Sequence, residues 1–120
     1  MRTIHSPIHT VGRIVCSAAT MLLAAGCVGR RYLMPHSKVM LHLPSVGIQG
    51  DSKQIEIGNR EMQKAKLAML KILQDNGVKR TDKQLLKDID REMWMTAEEA
   101  IDYGLADKIV GRAVMKEWLG

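Results

Sequence analysis

At 120 residues the chain has room for one domain with a real but modest core. Its 18 basic and 13 acidic residues leave a net charge of +5. The two signs interleave from Glu56 to Asp107, however, and no aromatic-basic platform accompanies them, which argues against a nucleic-acid binder. Two cysteines are too few for a disulfide framework. With residues 17–26 helical, Cys16 and Cys27 stand ~16 Å apart along the axis, too far to bridge, so both are expected as free thiols of a reducing compartment.

In chain order, Met1 to Pro7 reads as weakly structured and His9 to Cys16 as a short buried strand. A helix from about Ser17 to Ala25 stops at Gly26. Arg31 to Met34 and Val39 to His42 read as two strands separated by a turn at Pro35-His36-Ser37. Pro44 to Gly50 is extended, and Ile55-Glu56-Ile57 is a further β-leaning patch. From Asn59 to Asp75, Met62, Ala65, Met69, Ile72 and Leu73 recur at helical spacing, and Asn76-Gly77 supplies the stop. Thr81 with Gln84, and Thr96 with Glu99, form capping boxes for two more helices, the second closing at Gly104. Leu105 to Val110 is a last strand. Strands alternate with helices, so the economical architecture is an α/β sheet with crossover helices.

Two incompatible chemistries can be read from Cys16 to Gly26. Arg2 and Arg13, an apolar run from Ile14 to Ala25, and Ala24-Ala25-Gly26-Cys27 resemble a lipoprotein signal peptide cut and lipidated at Cys27. Against it stand His5, Pro7 and His9 in a long front portion, and strand-like sequence directly after Cys27. In the other reading Ser17, where a strand becomes a helix, is a nucleophile beside unpaired backbone amides that also hold an oxyanion. The bland alternative is a helix N-cap. His42, at the end of Val39-Met40-Leu41-His42, is a candidate general base or a satisfied structural histidine. A third group would be a carboxylate from Asp88, Asp90 and Glu92, or these form a solvated helix end. The histidines show no ligand spacing with carboxylates or thiols, so no metal or cofactor is expected.

Together these residues resemble a family. Val15-Cys16-Ser17 through Leu22-Leu23-Ala24-Ala25-Gly26, Gly29 and Arg31 follow the pattern G-x-A-A-S-M-G-x-x-L-L-x-A-G-x-x-G-x-R of the Clp protease proteolytic subunit. Met34-Pro35-His36-Ser37 through Met40-Leu41-His42-Leu43-Pro44 is similar to its histidine block L-P-x-S-x-x-M-x-H-x-P. Met95-Thr96-Ala97-Glu98-Glu99-Ala100 through Tyr103-Gly104-Leu105-Ala106-Asp107 is similar to M-S-A-x-E-A-x-x-Y-G-L-x-D. L-L-A-A-G is thus part of the family's nucleophile helix, which demotes the lipidation reading.

The resemblance implies a crotonase-like α/β fold, present as its C-terminal part, in one domain over residues 1–120. A head would span 8–48 and 77–112, and a handle of strand and helix about 47–76. It implies a serine endopeptidase with Ser17 as nucleophile, His42 as base and Glu92, four residues before Thr96, as the triad acid. The amide of Ala18 would be one oxyanion donor, and Gly47 would lie in the strand that pairs with substrate. Implied partners are unfolded proteins, a hexameric ATP-dependent unfoldase and paired heptameric rings, in the cytoplasm or an organelle of bacterial origin, without membrane or nucleic acid. Tyr32 and Met34 fall where the family builds apolar rim pockets for the unfoldase. The chain departs from the pattern at Arg13, where the block opens with glycine, at Ala18-Ala19 and at Glu92, where the family has aspartate. The family's N-terminal portion, with a glycine pair that supplies the second oxyanion donor, is expected to be missing. A non-catalytic ring subunit of the same family is the alternative.

Overall fold

A computed structural model describes residues 4–45 and 47–120, so Met1 to Thr3 and Val46 lie outside the described part of the expected N-terminal and extended segments. The elements are β1 (Thr10–Cys16), α1 (Ala18–Ala24), β2 (Arg31–Leu41), α2 (Ser52–Asp75), α3 (Asp82–Asp88), β3 (Met93–Thr96), α4 (Ala97–Tyr103), β4 (Lys108–Ile109) and α5 (Arg112–Leu119). The result is the mixed α/β layering expected of the crotonase-like class, a four-stranded sheet with helices packed on it.

β2 organises the sheet. β1 runs parallel to it, β4 runs parallel to its start at Tyr32 and Leu33, and β3 runs antiparallel to its end from Lys38 to Leu41. Neighbours on both sides explain why Leu33, Val39 and Leu41 are wholly buried. They form the core with Leu23 and Ala24 of α1, Leu70 and Leu73 of α2, Leu85 of α3 and Ala100 of α4.

The two strands expected between Arg31 and His42 are one. Gly12 pairs with Leu33 and Ile14 with Lys38, so Met34 to Ser37 stand opposite Arg13 alone. Pro35 and His36, the latter at φ 59°, swell into a bulge rather than a turn. Buried Ser37 closes it by directing its hydroxyl at the carbonyls of Met34 and Gly12. β1 is not the buried strand expected. Only Val15 is buried in it, while Val11 and Ile14 are 52% and 74% exposed, because β1 is the edge of the sheet.

Ile55-Glu56-Ile57 belongs to α2, not to a strand. Asp51 accepts from Gln54 N–H while Gln54 caps Asp51 N–H, and this reciprocal box starts the helix ahead of Asn59. The handle strand expected from Gly47 is not formed among the described residues, since residues 47–50 meet no ladder partner within the chain. Instead Ile48 folds back on α2, where a Cβ on Gly58 would come 3.0 Å from its side chain. The boxes at Thr81 and Thr96 form as expected, and Gly104 closes α4 at φ 97°. A Cβ at Gly104 would lie 2.4 Å from Gly77 O, so glycine lets the ends of α2 and α4 touch. The last strand shrinks to Lys108–Ile109, and β3 and α5 are elements the sequence reading did not foresee.

Arg31 ties these ends together. It is 2% exposed and binds Asp107 through Nε and Nη2, each at 2.8 Å. Its Nη1 donates to Ala24 O, Asn76 O and Gly104 O, joining the ends of α1, α2 and α4. Partial burial by itself would raise the pKa of Asp107. The Arg31 hydrogen bond and charge outweigh this and, with the amides of Arg31 and Gly29, hold the carboxyl below its usual range.

Candidate active site

β1 passes into α1 through Ser17, whose backbone sits at φ 56° and ψ −119°. Such a conformation costs a residue with a side chain on the order of 1–3 kcal/mol, so its surroundings must impose it. Ser17 N–H donates to Met40 O at 3.1 Å, extending the β1–β2 ladder by one residue. Thr20 N–H then donates to Ser17 O at 3.0 Å and begins the helix. Ser17 occupies the N-cap position, yet its side chain makes no capping hydrogen bond. The hydroxyl is therefore not committed to the helix end, which removes the bland reading of this serine.

β2 stops at Leu41, and His42 follows it, half-buried. Ser17, Ala18 and His42 line one cavity of about 420 Å³. Met21 of α1, Pro44, and Ala65, Ala68, Met69 and Ile72 of α2 supply its apolar walls. The expected nucleophile and base thus face the same space. His42 Nδ1 lies 2.7 Å from Leu43 O. A carbonyl only accepts, so the neutral ring carries its proton on Nδ1 and its lone pair on Nε2. That is the tautomer a general base requires.

The carboxylates are placed differently from one another. Asp88 accepts from Tyr103 Oη at 2.8 Å and lies 3.8 Å from Arg80 Nε. Burial and Asp88 push the Tyr103 phenol well above its usual range. Asp90 and Glu92 line a second cavity of about 460 Å³ that His42 also lines. Glu92 accepts from Trp94 Nε1 at 3.2 Å while His42 Nδ1 is taken by Leu43 O, and the direct bond to His42 expected of a triad acid is not formed in this structure. Gly47 is exposed and outside any strand, and Ala18 stands at the first helical position, where amides lack intrahelical acceptors.

Two contributions escaped sequence reasoning. The stripe with Ala65, Met69 and Ile72 is read as a helix face, but not as the wall of the site that it forms together with Ala68. The Leu43 carbonyl has no side-chain signature at all. The apolar run from Ile14 to Ala25 forms the end of β1 and α1, with Leu23 and Ala24 in the core. Among the described residues no helix is long and apolar enough to cross a membrane.

A mixed α/β sheet thus brings a strained serine and a histidine to one cavity. Residues 1–113 match the family model described as Clp protease, and the chain belongs to that family. It is 42% identical over 97 residues to the ATP-dependent Clp protease proteolytic subunit of Porphyromonas gingivalis, covering 81% of this chain and 43% of that protein. The protein of the same name from Bacteroides fragilis is 41% identical over 111 residues, 92% of this chain and 53% of its own length. The ATP-dependent Clp protease proteolytic subunit 2 of Treponema denticola is 37% identical over 111 residues, 91% of this chain and 54% of its own. The chain spans about half the length of the curated relatives it matches.

Proposed function

We propose that this chain is a proteolytic subunit of an ATP-dependent Clp protease, a serine endopeptidase acting on unfolded polypeptides in the cytoplasm or an organelle of bacterial origin. The observation that carries the proposal is the strained, uncapped Ser17 sharing a cavity with His42. The names of the relatives supply the ATP-dependent setting, and with it we propose an unfoldase that delivers substrate to stacked rings.

In this reading Ser17 Oγ attacks the scissile carbonyl while His42 Nε2 takes its proton. The Ala18 amide donates to the oxyanion. Collapse of the tetrahedral intermediate breaks the C–N bond, and His42 returns the proton to the departing amine. Water, deprotonated by the same ring, then bonds to the acyl carbon, and as the bond to Ser17 Oγ breaks the ring returns that proton to Ser17 Oγ. Leu43 O holds the Nδ1 proton throughout, and Glu92 acts across the second cavity by stabilising the imidazolium. The apolar walls from Met21 and α2 receive an apolar side chain beside the scissile bond. Gly47, on an exposed and unpaired segment, is available to pair with an extended substrate.

The test is labelling by a serine-directed fluorophosphonate together with hydrolysis of a fluorogenic peptide. Both are expected in the folded chain and both vanish in Ser17→Ala. A second reading, a subunit that fills ring positions without cutting, draws on the missing bond between His42 and Glu92. A folded preparation that assembles but neither labels nor cleaves would establish it instead.

A further inference from the structure

We propose that Thr20 is a positioning residue that couples the nucleophile to the base, an inference that rests on the roles given to Ser17 and His42 above. Thr20 is fully buried on the first turn of α1. Its Oγ1 donates to Met40 O at 2.8 Å and lies 3.3 Å from Val15 O. Val15 is two residues before Ser17 on β1, and Met40 is two residues before His42 on β2. One hydroxyl therefore sits between the strand end that presents the serine and the strand end that presents the histidine.

The geometry goes further at Met40 O. This carbonyl accepts from Ser17 N–H at 3.1 Å and from the Thr20 hydroxyl, which occupies both of its lone pairs. Thr20 N–H also donates to Ser17 O. Both backbone groups of the strained serine thus run, directly or through Met40, to Thr20. Removing the hydroxyl leaves Met40 O with one donor and frees β2 to shift against α1 just before His42. A shift of that kind alters the line from Ser17 Oγ to His42 Nε2 without touching the apolar wall that binds substrate. It slows the chemical step and leaves binding alone.

Thr20→Ser and Thr20→Ala both lose the γ-methyl and differ only in the hydroxyl, and Thr20→Val keeps the shape without it. The experiment measures fluorophosphonate labelling rate, kcat and KM for the full chain and all three variants, with thermal melting alongside. Thr20→Ser is expected within about twofold of the parent in each quantity. Thr20→Ala and Thr20→Val are expected to lose about tenfold or more in labelling rate and kcat at unchanged KM. Equal labelling rates across folded variants overturn the proposal. So does a Thr20→Ser variant as slow as Thr20→Ala, or a loss that appears only in KM. Failure of both hydroxyl-less variants to fold would make the bond structural and likewise overturn it. A parent chain that never labels sinks the assignment of Ser17 itself, whereas a labelled parent with a flat series sinks the coupling alone.

Discussion

Ser17 is held in a backbone conformation that glycine adopts freely and serine does not, and the site spends stability to keep a hydroxyl there. The histidine is the less constrained partner, because its Nδ1 proton is accepted by the neighbouring Leu43 carbonyl rather than by a distant side chain. Glu92→Gln is therefore expected to lower kcat on a fluorogenic peptide by less than about tenfold, within the range of a supporting electrostatic effect. A loss comparable to that in Ser17→Ala would show that the carboxylate leaves Trp94 and moves onto His42 during turnover. Of the candidate site, Ser17 and His42 are singled out in the sequence by blocks that follow in order with recognisable neighbours, and the structure brings both to one cavity. The strain at Ser17 and the role of Leu43 were not, because each is a property of the backbone that no residue type announces.

Between elements, the strongest tie is the Arg31–Asp107 pair, with side chains 3% and 17% exposed. Arg31→Ala would strand a partly buried carboxylate and three carbonyls at the ends of α1, α2 and α4, costing about 3–5 kcal/mol. That is a large share of the stability of a domain this size, and chemical denaturation would read it as a lower midpoint. The sign of the pH effect follows from the depressed pKa of Asp107. Its contribution is fully present above the unfolded carboxylate pKa of ~3.9 and is lost as pH falls through the lower folded value. Asp107→Asn is expected to be less stable at neutral pH and to show a flatter acid limb; an unchanged acid limb would contradict the pairing. Capping boxes at Thr81 and Thr96 were readable because their spacing is unambiguous. The same chemistry at Asp51 and Gln54 was masked by β-branched Ile55 and Ile57, whose weak local preference a capped helix overrides. Neither β3 nor the bulge could be read locally, since both exist only by virtue of what β2 lies against.

At the scale of the molecule, α2 is ~36 Å long, but its buried residues, Met69, Leu70 and Leu73, all lie near its C-terminal end. The rest projects, giving extents of 59 × 31 × 25 Å and leaving Ile55, Ile57 and Leu67 exposed. We assign this projection to the handle of the proposed ring assembly, with the sheet and its remaining helices as the head. Leu67→Lys, at a position already 59% exposed, is expected to leave the melting temperature within a few degrees while lowering the particle mass in solution. A parent particle with the mass of a single chain would refute the assembly. The swelling at Pro35-His36 acts at this scale too. It takes up the extra residues of β2 against β1, so that pairing resumes at Ile14 and Lys38 after leaving off at Gly12 and Leu33. A one-residue deletion there would turn Val39 and Leu41 outward and swing the imidazole to the opposite face of the sheet. The length of that short irregular stretch, more than the composition of any strand, determines which side chain shares the cavity with the serine.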